Sequence, residues 1–196
     1  MTCAGSGSPF VVSAKEIDTY NNKLKGQLPS ELGLLTMLKT GFQVYNNEIS
    51  GSLPSEVGSM TAMSSYFYLY SNEISGSLPS EVGSMTAMSY RFYLYDNEIS
   101  GSLPSQLGRM TKLASYFDVS SNRLCDNIPT EVQALSTQSS GWSVTTGNSL
   151  GTPCNISLIF DGATYTALSS LYLATDGPNW STKTNWMSGH PCTASW

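Results

Sequence analysis

The sequence predicts an α/β solenoid, in which short parallel strands stack on one side and short helical turns on the other. Two observations carry that expectation. A block recurs at fixed spacing: NEISGSLPSEVGSMTAMS stands at 47–64 and again, letter for letter, at 72–89. Within each copy the apolar residues first alternate, as in a strand, and later fall three apart, as in a helical turn. Looser copies flank the pair, NKLKGQLPSELGLLTMLK at 22–39 and NEISGSLPSQLGRMTKLA at 97–114, and a degraded one begins NRLCDNIPTEVQAL. Asn22, Asn47, Asn72, Asn97 and Asn122 head the copies at intervals of 25 residues.

Each segment of the copy has its own reason to fold as it does. Phe42, Phe67, Phe92 and Phe117 make one apolar column, and Val44, Leu69, Leu94 and Val119 another two residues on. That alternation is a short strand with one face inward. After the asparagine, Leu24/Ile49/Ile74/Ile99/Leu124 and Leu28/Leu53/Leu78/Leu103/Ile128 return to the core. Between these columns Gly26, Gly51, Gly76 and Gly101 permit a tight turn. LPSE then opens a short helical turn, with Ser before Glu as a weak capping signal. Leu35, Met60, Met85 and Met110, with Leu38, Met63, Met88 and Leu113 three residues later, close each coil. No copy can bury these residues alone, so the copies must stack. An Asn amide offers donors and an acceptor together, so a column of them can satisfy the buried turns of adjacent coils.

This pattern, F/L-x-L/V-x-x-N-x-I/L-x-G-x-L-P-x-x-L/V-G, resembles the plant-specific type of leucine-rich repeat over residues 11–135. The period of 25 is one residue longer than that subtype usually has, and Met, Phe and Tyr replace many leucines. The resemblance implies a right-handed solenoid of about five coils, with a concave parallel sheet and short convex helical turns. It also implies an extracellular or cell-surface setting, as in receptor-like ectodomains and extracellular inhibitor proteins.

The end of the chain, YTALSSLYLATDGPNWSTKTNWMSGHPCTASW, resembles the amino-terminal cap of the same family. Ala167, Leu168, Leu171 and Tyr172 match its helix, Asn179-Trp180 and Asn185-Trp186 its paired Asn-Trp steps, and Cys192 its cysteine loop. The second cysteine of that loop is matched by Cys3. The expected organisation is thus a cap remnant at 1–10, the solenoid at 11–135, a cover or linker at 136–161, and a cap-like helix and loop at 162–196. The chain reads as a tandem unit or fragment cut inside its cap, or as a circular permutant; an array would join head to tail through the cap. The resemblance pairs Cys3 with Cys192. Cys125, before the expected Gly of the last coil, and Cys154, just after the solenoid, would form a bridge that pins the exposed final coil. Asn155 and Asn179 head N-x-Ser/Thr sequons, which fit a secreted glycoprotein.

Composition narrows the function. Charged residues are 12% and the net charge is −5, without the clustered Lys and Arg that nucleic acid requires. No apolar run is long enough to span a membrane, and no signal-peptide pattern stands at Met1. The four cysteines are too dispersed for a zinc pair, and no phosphate loop or cofactor motif occurs. The one histidine, His190, lies in the cap-like loop. Glu48, Glu73 and Glu98 form a repeated row rather than two carboxyls across a cleft. No catalytic residue, metal site or cofactor is expected.

The residues alternating with the Phe column point outward, onto the concave face, and they are rich in tyrosine. Candidate ligand-binding residues are Tyr45, Tyr66, Tyr68, Tyr70, Arg91, Tyr93, Tyr95, Asp96, Tyr116 and Asp118. Tyrosine suits recognition, having a broad apolar ring and a polar tip with few rotatable bonds. The same rings could instead serve the fold by stacking across strands. The expected role is a non-catalytic extracellular recognition module for a protein or polysaccharide ligand. The alternative is a surface array protein, ice-binding through the Ser50/Ser75/Ser100, Ser52/Ser77/Ser102 and Ser55/Ser80/Ser105 columns.

Overall fold

A computed structural model describes residues 15–154. The cap remnant, the cap-like segment, Cys3, Cys192, His190, Asn155 and Asn179 lie outside the described residues. Each of the first five described coils contributes two short strands, and the last contributes one. One set, β1 (Glu16–Asp18), β3 (Gly41–Gln43), β5 (Tyr66–Tyr68), β7 (Arg91–Tyr93), β9 (Tyr116–Asp118) and β11 (Gly141–Ser143), forms a six-stranded parallel sheet in that order. The other set, β2 (Lys25–Gln27), β4 (Glu48–Ser52), β6 (Glu73–Ser77), β8 (Glu98–Ser102) and β10 (Arg123–Cys125), forms a five-stranded parallel sheet. Short 3₁₀ turns at Ser30–Leu34, Ser55–Ser59, Ser80–Ser84 and Ser105–Arg109 stack on the remaining side, followed by a single α-helical turn at Thr130–Gln133.

The apolar columns fill the space between these layers. Phe42, Phe67, Phe92 and Phe117 are at most 2% exposed and stack at 5.9, 5.3 and 5.5 Å between ring centroids. Met60, Met63, Met85, Met88, Met110 and Leu113 are fully buried behind them. Each such side chain contributes about 1.5–3 kcal/mol by leaving water, and each does so only because a neighbouring coil covers it. At the 3₁₀ turns, adjacent coils touch backbone to backbone. A Cβ at Gly58 would collide with the Glu81 carbonyl, and one at Gly83 with the Gln106 carbonyl.

The asparagine column binds coil to coil. Asn97 Oδ1 accepts from Ile74 N at 3.0 Å, while its Nδ2 donates to Leu69 O, Leu94 O and Tyr95 O. Asn47, Asn72 and Asn122 make the equivalent set, and Asn122 is buried. Asn22 stands in the first described coil and donates to Tyr20 O. The residue before each asparagine is left-handed: Asn21, Asn46, Ser71, Asp96 and Ser121 have φ between 50° and 58°. That conformation swings the chain from the first sheet toward the second, and small polar residues tolerate it best.

Three features depart from the sequence expectation. The segment after the asparagine forms a second sheet rather than a mere turn. Gly51, Gly76 and Gly101 keep positive φ (76°, 73° and 79°) inside its strands, and Asp126, just past β10 in the fifth coil, takes the same repeat position with φ 63°. The Ser–Glu capping signal is not used: Pro54 and Pro79 occupy the cap positions, and the Ser55 and Ser80 hydroxyls donate to the adjacent glutamates at 3.2 Å. The repeat also runs beyond 135. Trp142 extends the Phe ladder at 5.1 Å from Phe117, Val144 is buried, and Asn148 accepts from Leu124 N and donates to Val119 O and Val144 O. A Cys125–Cys154 disulfide, with Cα atoms 5.0 Å apart, closes this final coil.

Asn122→Leu leaves Ile99 N without its acceptor and removes one of the two donors from each of Leu94 O, Val119 O and Ser120 O. At about 1–3 kcal/mol for a buried unsatisfied group it should cost about 1–3 kcal/mol in urea unfolding. Ser105→Ala, on the exposed turn, should stay within about 0.5 kcal/mol. Gly83→Ala should cost about 1–3 kcal/mol, because neither backbone can yield. Replacing Cys125 and Cys154 by Ser should cost about 3 kcal/mol and lower the thermal midpoint.

Candidate functional site

The outward face of the six-stranded sheet is the candidate site, and the coil spacing dictates its geometry. In β5 and β7, Phe67 and Phe92 point in, so Tyr66, Tyr68, Arg91 and Tyr93 point out. Tyr20, Tyr45, Tyr70 and Tyr95 follow the strands, and backbone bonds pin them: Asn21 N donates to Tyr45 O, Asn46 N to Tyr70 O and Ser71 N to Tyr95 O. The Asn47, Asn72 and Asn97 amides also donate to the Tyr45, Tyr70 and Tyr95 carbonyls. The asparagine column thereby fixes the tyrosines.

Rings held at strand spacing, about 4.8 Å, have little choice but to stack. Tyr20–Tyr45, Tyr45–Tyr70 and Tyr70–Tyr95 stack at 4.8, 4.4 and 4.5 Å, within 16° of parallel. A second row, Tyr68–Tyr93, stacks at 5.0 Å. The rows meet edge-on, as Tyr68–Tyr70 at 5.7 Å and Tyr93–Tyr95 at 5.7 Å show. Tyr45 and Tyr70 therefore have rings on both faces. They offer a ligand their edges and hydroxyls, not an open aromatic plane. Tyr68 is covered further, to 8% exposure.

Arg91 lies beside these rows. Its guanidinium carbon sits 4.9 Å from the Tyr90 ring centroid and 5.3 Å from that of Tyr116, and Nη1 donates to the Tyr68 hydroxyl at 3.3 Å. Tyr66 packs edge-on against Tyr90 at 5.5 Å. The Tyr116 ring lies over Gly141, where a Cβ would displace it.

The face thus gathers Tyr45, Tyr66, Tyr68, Tyr70, Arg91, Tyr93, Tyr95 and Tyr116. Asp96 follows Tyr95 in the left-handed turn, where it accepts from the Ser71 hydroxyl at 2.8 Å. Asp118 is on the face, but one carboxylate oxygen is engaged by Ser120 N at 2.9 Å and by the Ser120 hydroxyl at 2.6 Å. Tyr90 belongs to the site and was not among the sequence candidates. It precedes the strand, so alternation does not reveal it, and only its departure from Ser65 and Ser115 at the same repeat position marks it. Among the described residues no group of three or more His, Cys, Asp or Glu is placed to hold a metal.

Stacking leaves its mark on acidity. Burial raises the phenols of Tyr45, Tyr68, Tyr70, Tyr93 and Tyr95 above their ordinary value, Tyr93 to about 12.

Solved structures place this architecture. The leucine-rich-repeat ectodomain of the Arabidopsis thaliana receptor kinase GASSHO1/SCHENGEN3, in complex with Casparian strip integrity factor 2, superposes with TM-score 0.61 at 28% identity, over 69% of this chain and 16% of that one. The chain is a leucine-rich-repeat solenoid of the plant type. The Arabidopsis HAESA ectodomain, solved with a peptide hormone ligand, matches this leucine-rich-repeat chain with TM-score 0.60 at 28% identity, over 68% of it and 21% of that chain. A plant ice-binding protein shares the fold, with TM-score 0.61 at 20% identity over 69% of this chain and 42% of that one. The repeat chain therefore spans about a sixth to a fifth of the two receptor ectodomains. No family model and no curated protein matches it.

The raised phenols set a pH limit. Above about pH 10 unfolded tyrosines begin to ionise while these five stay protonated, so the unfolded chain binds fewer protons. Their contribution to stability is complete below that pH and is lost as pH rises toward the Tyr93 value of about 12. Spectrophotometric titration should show phenolate forming later in the folded chain than in the chain unfolded by denaturant. Coincident curves would contradict the stacking.

Proposed function

We propose that this chain is a non-catalytic extracellular recognition module whose tyrosine-bearing sheet face holds a segment of a partner protein. The observation that carries the reading is the pair of stacked tyrosine rows, whose edges and hydroxyls form one continuous polar-aromatic surface over four coils. Phenol hydroxyls both donate and accept, which suits the alternating N–H and C=O groups of an extended peptide. The rings are already ordered against one another, so binding sacrifices little side-chain entropy. A protein segment is favoured over a glycan, because sugar C–H faces need open ring planes and the interior rings have none. The HAESA ectodomain, of like fold, holds a peptide ligand.

A second reading rests on a separate observation. Ser50, Ser52, Ser75, Ser77, Ser100 and Ser102 lie on adjacent strands of the five-stranded sheet, with Ser52 opposite Ser75 and Ser77 opposite Ser100. An even array of short hydroxyls on that flank is the form an ice-binding surface would take.

Two variants of the full chain separate these readings. Tyr45→Phe, Tyr70→Phe and Tyr95→Phe together remove hydroxyls while keeping the stack. Ser52→Ala, Ser77→Ala and Ser102→Ala alter only the flank. Immobilised wild-type chain should retain a protein from extracellular extract, the Tyr variant should lose it, and the Ser variant should keep it. Retention by all three would defeat the proposal. Thermal hysteresis abolished by the Ser changes would instead establish the second reading.

A further inference from the structure

We infer that Arg91 is the anchor for a single acidic side chain of the bound peptide, an inference that rests on the recognition reading above and names what the ligand must carry. Arg91 is the only Lys or Arg in the six strands that build the face. It has no carboxylate of its own: the ion pairs among the described residues are Lys25–Glu48 and Arg123–Glu98, both on the other sheet. Its one hydrogen bond among those residues goes to the neutral Tyr68 hydroxyl, and its Nε is shielded from water without a partner.

A charge held this way lacks an anion. The Tyr90 and Tyr116 rings draw the guanidinium by cation–π attraction, which favours the charge without neutralising it. They also restrain its plane, so the unengaged N–H groups form a ready fork for a carboxylate. In the partly desolvated setting among the rings, such a pair is stronger than one in open water.

The surroundings limit the ligand further. Glu16 and Asp18 stand in β1, Asp118 stands in β9, and the whole chain is acidic at −5. A run of acidic residues would be repelled on either side of Arg91, by β1 at the far edge and by Asp118 on the adjoining strand. One acidic residue at the middle, with neutral neighbours, matches the charges present. A polyuronate carries a carboxylate on every sugar and fits this pattern poorly.

The test is selection from a displayed library of random ten-residue peptides, panned on the full wild-type chain. Enriched peptides are then synthesised and measured against wild type, Arg91→Gln, Arg91→Lys, Arg109→Gln, and the paired Tyr70→Phe and Tyr95→Phe variant. Enriched peptides should share one Asp or Glu. Changing it to its amide should weaken binding at least about tenfold, as should Arg91→Gln, and the two together should do no more than either. Arg91→Lys should retain part of the affinity, Arg109→Gln all of it, with thermal melts confirming that every variant is folded. Peptides that depend on Tyr70 and Tyr95 but ignore Arg91 overturn this inference and leave the recognition reading standing. No enriched peptide, or peptides indifferent to both, overturns the two together. Arg91-dependent binding of an oligogalacturonate probe, with no peptide bound, overturns the peptide assignment.

Discussion

Everything in this molecule follows from the distance between coils, and the asparagine column holds that distance. Each amide bridges a carbonyl and an N–H of the preceding coil to carbonyls of its own, so neighbouring turns cannot drift apart without stranding several buried groups. The same amides reach the carbonyls of Tyr45, Tyr70 and Tyr95. The interaction that closes each coil is therefore also the one that sets the rings at stacking distance. Core and candidate site share one constraint.

That coupling changes what a row of tyrosines means. A lone exposed tyrosine offers an aromatic plane. A column of them at strand spacing spends its planes on its own members and turns hydroxyls and edges to solvent. Phenols are neutral at physiological pH and burial raises these further, so the rows are polar without being charged. Arg91 then stands out as the one cation on an otherwise neutral centre.

Much of the fold was legible because the repeat writes each structural position several times. The Phe, Met and Ile columns are buried, and the alternation around Phe67 and Phe92 places the tyrosines on the outer face. The second sheet was hidden, since Glu-Ile-Ser-Gly-Ser carries a left-handed glycine at its fourth position and reads as a turn; it pairs because successive coils lay this same segment side by side. The sixth strand was hidden by divergence: Trp142 and Val144 keep the 25-residue phase, but no LPSE follows, and Asn148 falls one residue late. Periodicity tells which face a side chain takes, not what touches it there. Hence the clamp of Tyr90 and Tyr116 on Arg91, the near-complete burial of Tyr68, and the turn role of Asp96 emerged only from the structure.

The most direct test is aromatic NMR of the chain with ¹³C-labelled tyrosine. Tyr45 and Tyr70, covered on both faces, should show ring-proton resonances shifted strongly upfield by their neighbours' ring currents. Replacing Tyr70 by Leu should release those of Tyr45 and Tyr95 toward ordinary values while the fold persists. Tyrosine resonances at ordinary positions in the natural chain, unmoved by that change, would show that the rings stand apart and that coil spacing does not organise the face.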